Sequence, residues 1–301
     1  MSRPFIIICG PTATGKSDLS LDLAQAIDGE VINADSMQLY RGMDIGTAKL
    51  SLEERRGVPH HLLDTLKVNE DASVADYQVQ ARAHIDEIRS RGKAAIVVGG
   101  TGLYIKSILD EMNFPATDPE VRSRLEQEGE DIGAAGLFSR LQLLDPEAAS
   151  AIDSANIRRI IRALEVIEIT GEPYSANLPA DQSERYPDAL HFGLAVDRQS
   201  LAPRIEARVE RMWEKGLLHE VEALIPQGLL LGNTARRAIG YREALSVLDG
   251  EMSEGQAKED TATATRQYVR RQETWFKRDL RIQWISEGQP RLETILQRIE
   301  S

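Results

Sequence analysis

The sequence predicts an α/β fold, in which a parallel sheet is flanked by helices and an all-helical subdomain is inserted. Short continuous apolar runs alternate with segments of helical periodicity, a pattern typical of a buried parallel sheet. A polar, Glu-rich stretch from residue 117 to about 180 interrupts this alternation. We therefore expect a core built from residues 1–116 and 186–301, with a helical subdomain at 117–185 between them.

The first predicted elements are a strand, a helix and a second strand. Residues 5–9 are all apolar and end at Gly10, as expected of a strand that is buried on both faces. Apolar residues at helical spacing then predict a helix over 16–28. A second short apolar run predicts a strand over 30–34.

The pattern then repeats. Ser73 precedes Asp76 by three residues, which resembles a capping box and predicts a helix from 73 to about 91. Residues 94–98 form a third apolar run, and helical periodicity resumes over 103–109. Strand and helix thus alternate in the way that builds a parallel sheet.

The inserted part shows helix starts of a different kind. The pairs Asp118-Pro119 and Asp145-Pro146 each place an N-cap acid before a proline, which favours the first turn of a helix. Residues 173–187 are rich in helix breakers and predict a loop. An apolar run at 191–196 predicts a return to the sheet, and helices are expected over 203–281.

Composition excludes several classes of protein. The chain has 301 residues, one cysteine and a net charge of -12, from 36 basic and 48 acidic residues. A single cysteine excludes an intramolecular disulfide framework and a multi-cysteine metal cage. No apolar run approaches the roughly 18 residues of a membrane span, so we expect a cytoplasmic protein without membrane association. An acidic chain needs local basic surface to bind nucleic acid.

A phosphate-binding motif follows the first predicted strand. Residues 10–17 match G-x-x-x-x-G-K-[ST] between a predicted strand and a predicted helix, the context that supports a phosphate loop and a P-loop NTPase-like sheet. The backbone N–H groups and the lysine bind phosphate, and the serine hydroxyl can hold Mg²⁺. The predicted diphosphate-binding residues are Gly10, Pro11, Thr12, Ala13, Thr14, Gly15, Lys16 and Ser17.

Two further motifs lie at predicted strand ends. The strand at 94–98 is followed by Gly99-Gly100-Thr101 and lacks the terminal carboxylate that NTPases use for their metal, which counts against nucleotide hydrolysis. Asp35 follows the second strand and is either a helix cap or a catalytic base or metal ligand. Thr101 is either a cap or a donor to a leaving group. Because ligands bind beyond the carboxyl ends of parallel strands, we expect these motifs to converge.

Basic residues form three local clusters, at 158–162, 236–242 and 266–281. Each cluster alone is typical of a solvated helix face. Aromatic residues such as Tyr241 and Tyr268 are interleaved with them, which makes RNA binding a serious hypothesis. The adjacent His60 and His61 lack further metal ligands at suitable spacing, so we favour structural hydrogen bonds for them.

These residues together resemble the bacterial tRNA dimethylallyltransferases of the IPP transferase family. The resemblance spans nearly the whole chain, and its most specific part is the long run at 35–49. The matching segments are GPTATGKS at 10–17, DSMQLYRGMDIGTAK at 35–49, PHHLLD at 59–64, GGTGLY at 99–104, DPEVR at 118–122, RALEV at 162–166, GYR at 240–242 and TRQ at 265–267.

The resemblance implies transfer of a dimethylallyl group from dimethylallyl diphosphate to N6 of the adenosine 3′ of the tRNA anticodon, position 37. It implies that Lys16, Mg²⁺ at Ser17 and Arg208 neutralise the leaving diphosphate, with Arg204 as the alternative arginine. Asp35 would accept the amine proton, and Thr101 would hydrogen-bond the bridging oxygen.

The resemblance also implies a set of residues that contact tRNA. The partner would be the anticodon stem-loop, the only cofactor Mg²⁺, and the functional unit a monomer without an obligate protein partner. Two alternatives remain at this point: a nucleoside or nucleotide kinase, and a non-enzymatic RNA-binding module with a vestigial loop. The implied tRNA-binding residues are Asp35, Ser36, Met37, Gln38, Thr101, Arg122, Arg158, Arg159, Arg162, Arg236, Tyr241, Arg242 and Arg266.

Overall fold

The sheet confirms the predicted α/β class. The computed structural model describes residues 4–177 and 184–301. Within these residues, six strands pair in the order β3-β2-β4-β1-β5-β6, and every neighbouring pair is parallel. The strands are β1 (Phe5–Cys9), β2 (Gly29–Asn33), β3 (His60–His61), β4 (Ala94–Gly99), β5 (Ala189–Leu194) and β6 (Gln283–Ile285).

The predicted strands lie within two residues of the observed ones. β1 has the predicted bounds, and β2 begins one residue earlier than expected. β5 begins two residues early because its ladder with β1 starts at the pair Phe5 and Ala189. The sequence did not predict the edge strands β3 and β6, since runs of two or three residues carry no periodicity.

The chain forms two compact units, and the larger contains the sheet. It comprises Met1–Ile108 and Tyr186–Ser301. Ser73 caps its second helix as predicted, because its hydroxyl accepts from the N–H of Asp76. Its helices are α1 (Lys16–Ile27), α2 (Val74–Ser90), α3 (Gly102–Leu109, whose last residue is assigned to the other unit), α7 (Arg198–Glu214), α8 (Leu217–Leu224), α9 (Tyr241–Leu248), α10 (Glu254–Phe276) and α11 (Arg291–Glu300).

One helix start differs from the prediction. α7 begins at Arg198, whereas the sequence predicts helices only from residue 203. The earlier start follows from Asp197, whose carboxylate accepts from the N–H of Gln199 and so caps the helix.

The smaller unit is Leu109–Arg185, and its described residues contain three helices. They are α4 (Pro119–Leu144), α5 (Pro146–Ala151) and α6 (Ile157–Thr170). Asp118 and Asp145 cap α4 and α5 as predicted, each before a proline. The sequence had placed the start of this unit further along, after residue 116. Of the predicted loop 173–187, Tyr174–Asn177 form a 3₁₀ turn, and residues 178–183 lie outside the described residues.

Two apolar clusters organise the larger unit. One packs α1 and α11 against the sheet, in which β1 and β4 are buried along their whole length. The other joins α7 to α10 and encloses the side chains of Tyr40 and Met43. The segment that follows β2 is therefore anchored in a core. None of the described helices is long and apolar enough to cross a bilayer.

Candidate active site

The phosphate-loop residues 10–17 turn sharply between β1 and α1. Gly10 and Gly15 have φ values of 137° and 84°, which glycine adopts without steric cost. A Cβ at Gly10 would also lie 3.0 Å from the carbonyl oxygen of Leu194. Ala13 has φ 64°, a strained conformation for a residue with a side chain. Such strain is often found at ligand-binding loops.

Two side chains hold this loop closed. The hydroxyl of Thr14 and the ammonium of Lys16 both donate to the carbonyl of Pro11, at 2.9 and 2.5 Å. Burial lowers the pKa of Lys16 to about 8, and the nearby carboxylate of Asp35 opposes that shift. An anion bound in the loop would stabilise the protonated form of this lysine.

A cleft of about 280 Å³ opens where β1, β2 and β4 end. The three predicted motifs meet there, as expected for strand ends on one edge of a parallel sheet. Their chemical roles remain predictions. The polar and glycine residues that line the cleft include Thr12, Thr14, Gly15, Lys16, Ser17, Asn33, Asp35, Gln38, Thr47, Gly99, Gly100 and Arg208.

Asp35 is half-buried, and it caps the short 3₁₀ helix Ser36–Leu39. Its Oδ1 accepts from the N–H of Met37 at 3.0 Å, and its own N–H donates to Oδ1 of Asn33 at 2.9 Å. The capping role weighed from the sequence is therefore present. It engages one carboxylate oxygen and leaves the side chain on the wall of the cleft, so capping and proton transfer are compatible.

Thr101 connects the end of β4 to the segment after β2. Its Oγ1 accepts from the N–H of Ser36 at 3.1 Å, and its own N–H donates to the carbonyl of Ala34 at 3.1 Å. Its carbonyl accepts from the N–H of Tyr104 in the first turn of α3. The threonine hydroxyl therefore lies beside the residue that follows Asp35.

The two candidate arginines of α7 occupy different positions. Both line a neighbouring cavity of about 820 Å³, but of the two, Arg208 also lines the smaller cleft. Burial lowers the pKa of Arg208, and the carboxylate of Asp35 counteracts this effect. Arg204 instead forms an ion pair with Glu287. Of the two, Arg208 is therefore the arginine that shares the cleft with Lys16 and Asp35.

One sequence expectation requires correction, because Tyr241 is buried. Its side chain is 0% exposed, and its hydroxyl donates to Glu220 at 2.5 Å. The same carboxylate accepts from the backbone N–H groups of Asp44 and Ile45, at 3.1 and 2.7 Å. A Cβ at Gly46 would lie 2.3 Å from the tyrosine ring. Tyr241 therefore supports the 44–46 backbone and has no surface to offer RNA.

The arginines of the helical unit divide into two kinds. Arg158 and Arg159 are exposed in the first turn of α6. Arg122 and Arg162 pair with the carboxylate of Glu165, which is 0% exposed, at 2.6 and 2.7 Å. Removing either partner would leave a buried charge poorly compensated. Arg122 and Arg162 therefore have a structural role whatever else they bind.

The remaining predicted RNA contacts have local partners. Arg236 donates to the carbonyl of Leu230, and Arg242 pairs with Glu243. Arg266 lies 3.4 Å from a carboxylate oxygen of Glu206. Gln38 donates to the carbonyl of Thr47, and Met37 packs against the α7–α10 cluster. Their contacts with RNA stay predictions.

The two histidines of β3 make the structural hydrogen bonds expected of them. Nδ1 of His60 lies 2.8 Å from the carbonyl of Val58, and Nε2 of His61 lies 2.8 Å from Glu30. Within the described residues, no group of three or more His, Cys, Asp or Glu side chains comes together to hold a metal.

Sequence reasoning missed the contribution of α10 to the site. Gln272 hydrogen-bonds both the backbone of Thr12 and that of Gly100, at 3.0 and 2.9 Å. Tyr268 interacts with Thr101 and Gln272, and burial raises its pKa to about 12. The sequence predicted a helix here with basic and aromatic residues that could bind RNA, and it did not indicate that this helix reaches the phosphate loop.

The chain is similar to proteins of one family along nearly its whole length. The family model described as IPP transferase matches residues 38–279. A "tRNA dimethylallyltransferase" of Paenarthrobacter aurescens is 55% identical over 290 residues, which are 96% of this chain and 93% of that protein. Its namesake in Streptomyces griseus is 56% identical over 288 residues, or 95% and 92% of the two chains.

Solved structures give the same result. A tRNA delta(2)-isopentenylpyrophosphate transferase from Staphylococcus epidermidis is 36% identical, with a TM-score of 0.72 and coverage of 99% of both chains. A eukaryotic dimethylallyltransferase acting on tRNA is 29% identical with a TM-score of 0.78, covering 95% of this chain and 74% of that one.

Proposed function

The chain belongs to the IPP transferase family, and on this premise we propose that it transfers a dimethylallyl group from dimethylallyl diphosphate to N6 of adenosine 37 of tRNA. The observation that carries the proposal is the cleft in which Lys16 and Arg208 lie with Asp35. A diphosphate needs cations and backbone N–H donors, and an attacking amine needs a base. One cleft offers both.

The transfer exchanges one bond for another. The N6 amine forms a bond with C1 of the dimethylallyl group as the bond from C1 to the bridging oxygen breaks, and the electron pair leaves with diphosphate. Lys16 and Arg208 stabilise the negative charge that develops there, and the hydroxyl of Thr101 donates to the bridging oxygen. The amine proton goes to Asp35, whose Oδ1 already serves as a cap.

The donor set at the cleft also fits Mg²⁺. Ser17 is exposed at the start of α1 and lines the cleft together with Asp35. Mg²⁺ prefers oxygen ligands and is often held by one or two protein groups plus phosphate oxygens and water. We assign Ser17 as its protein ligand. When bound with the diphosphate, the ion neutralises charge on the leaving group.

Labelled transfer tests this function against the kinase alternative, which the names of the relatives already disfavour. We expect label from dimethylallyl diphosphate to enter an anticodon stem-loop with adenosine after the anticodon. A stem-loop with guanosine there lacks the N6 amine and should stay unlabelled. Consumption of ATP in proportion to product, or a rise in melting temperature with ATP and none with dimethylallyl diphosphate, would instead support a kinase.

RNA docking is expected to depend on the exposed arginines of α6. Arg158→Gln with Arg159→Gln removes two cations while leaving the Arg162–Glu165 pair intact. The slope of log affinity for the stem-loop against log salt concentration should become shallower by about one to two. Affinity for dimethylallyl diphosphate should not change.

The control variant is Arg298→Gln, which changes an exposed arginine of α11. It should leave the slope of log affinity against log salt concentration unchanged. If the Arg158/Arg159 variant kept the wild-type slope and affinity, α6 would present only a solvated face. RNA docking would then rest on the 236–242 and 266–281 segments.

The proposed site also has consequences for the oligomeric state and the cellular location of the protein. Every residue named for the transfer chemistry belongs to the larger unit of one chain, so a monomer suffices for it. Light scattering during gel filtration measures the oligomeric state. A tRNA substrate agrees with the cytoplasmic location expected from the sequence.

A further inference from the structure

Gln272 makes two hydrogen bonds that join distant parts of the chain. Its Oε1 accepts from the N–H of Thr12 at 3.0 Å, and its Nε2 donates to the carbonyl of Gly100 at 2.9 Å. The side chain is 5% exposed. Because an N–H only donates and a carbonyl only accepts, the partners fix the orientation of the carboxamide.

The backbone around Gly100 is shaped to receive this helix. A Cβ at Gly100 would lie 2.2 Å from Nε2 of Gln272, and one at Gly102 would lie 2.0 Å from the ring of Trp275. A side chain at either position would therefore displace Gln272 or Trp275 from its observed place. Tyr268, one helical turn before Gln272, interacts with Thr101. One stripe of α10 thus contacts all of 100–102.

The two residues that hydrogen-bond to Gln272 belong to the two segments that a diphosphate would touch. Thr12 lies in the phosphate loop after β1, and Gly100 precedes Thr101 after β4. β1 and β4 are neighbouring strands, but beyond Cys9 and Gly99 their ladder ends. The carboxamide of Gln272 therefore links the two chain segments beyond the point where the strands stop pairing.

We propose that Gln272 is a positioning residue of the diphosphate site, which sets the spacing between the phosphate loop and Thr101. It engages the N–H of Thr12 and so determines which loop N–H groups remain for phosphate. The carbonyl of Gly100 is held by the same carboxamide, and the Thr101 hydroxyl stays at a fixed distance from Lys16. This inference rests on the proposed function, because it requires that a diphosphate occupies the cleft.

The first test replaces Gln272 by methionine, which has similar length and makes neither hydrogen bond. Binding of inorganic pyrophosphate with Mg²⁺ is measured by calorimetry, so the readout needs no turnover. We expect affinity about tenfold below wild type, and a similar rise in KM for dimethylallyl diphosphate, while stem-loop affinity is unchanged. The matched control is Gln256→Met on the same helix, where the exposed glutamine side chain donates to Asp260.

The second variant, Gln272→Glu, separates positioning from general stability. At pH 8 the carboxylate can accept from Thr12 but cannot donate to Gly100, whereas a protonated glutamic acid can do both. Because position 272 is buried, the pKa of a carboxyl there should lie above its ordinary value of about 4.3, so the loss of pyrophosphate affinity relative to wild type should shrink as the pH falls from 8 to 5. A role confined to folding would lower the melting temperature without this pH profile.

The outcomes are distinct. Wild-type pyrophosphate affinity in folded Gln272→Met, or a loss in Gln272→Glu that persists once the new carboxyl is protonated, would overturn the inference and leave the proposed function intact. Failure of the wild-type chain to bind pyrophosphate would contradict the proposed function, and the inference with it.

Discussion

Turnover of the Asp35→Asn variant is expected to fall by about 10² or more, with tRNA affinity retained. Asparagine has the same size as aspartate, and its oxygen can still accept from the N–H of Met37, so the 3₁₀ helix after β2 keeps its cap. What disappears is the ability to take a proton from the amine. Single-turnover transfer of labelled dimethylallyl to the stem-loop measures the effect directly.

Two further variants separate this effect from changes in folding. Asp76→Asn makes the same chemical change at an exposed position of α2, away from the cleft, and should leave turnover unchanged. Asp35→Ala also removes the cap and should lower the melting temperature more than Asp35→Asn does. Near-normal turnover of Asp35→Asn would show that Asp35 is a cap and not the base.

The site was predictable from the sequence where its parts follow strands. Thr101 lies 65 residues after Ser36, the neighbour of Asp35, yet Asp35 and Thr101 both follow buried parallel strands. The carboxyl ends of such strands lie on one edge of the sheet, so recognising the strands was enough to bring these residues to the phosphate loop.

The supporting contacts were not predictable in this way. Gln272 reaches Thr12 across 260 positions, and Glu220 reaches Ile45 across 175, from helices whose placement no local pattern specifies. Tyr241 was misassigned because an aromatic ring beside arginines gives the same sequence pattern on an RNA-binding surface as in a core. The tertiary structure distinguishes the two, because the ring of Tyr241 is buried against Gly46 and its hydroxyl donates to Glu220.

Removing the ammonium of Lys16 should affect the diphosphate more than the fold. In Lys16→Ala, the carbonyl of Pro11 still accepts from the hydroxyl of Thr14, so the loop keeps one of its two internal bonds. Loss of a charge-assisted contact should weaken pyrophosphate binding about 10- to 100-fold and slow transfer by about 10² or more. Lys67→Ala, at an exposed position outside the cleft, is the control.

The advantage of the wild-type chain over Lys16→Ala should itself depend on pH. Because burial lowers the pKa of Lys16 to about 8, the free protein loses this cation as the pH rises through 8 and not near the 10.5 of an ordinary lysine. Bound pyrophosphate favours the protonated form of Lys16. The ratio of the pyrophosphate affinity of the wild-type chain to that of Lys16→Ala should therefore be constant below pH 7 and decline above pH 8, by up to about tenfold per pH unit. Calorimetry of both proteins from pH 6 to 9.5 measures that ratio, in which the titration of pyrophosphate itself cancels. A ratio that stayed constant up to pH 9.5 would show that Lys16 keeps its proton in the empty cleft, and a ratio of one throughout would remove Lys16 from the diphosphate site.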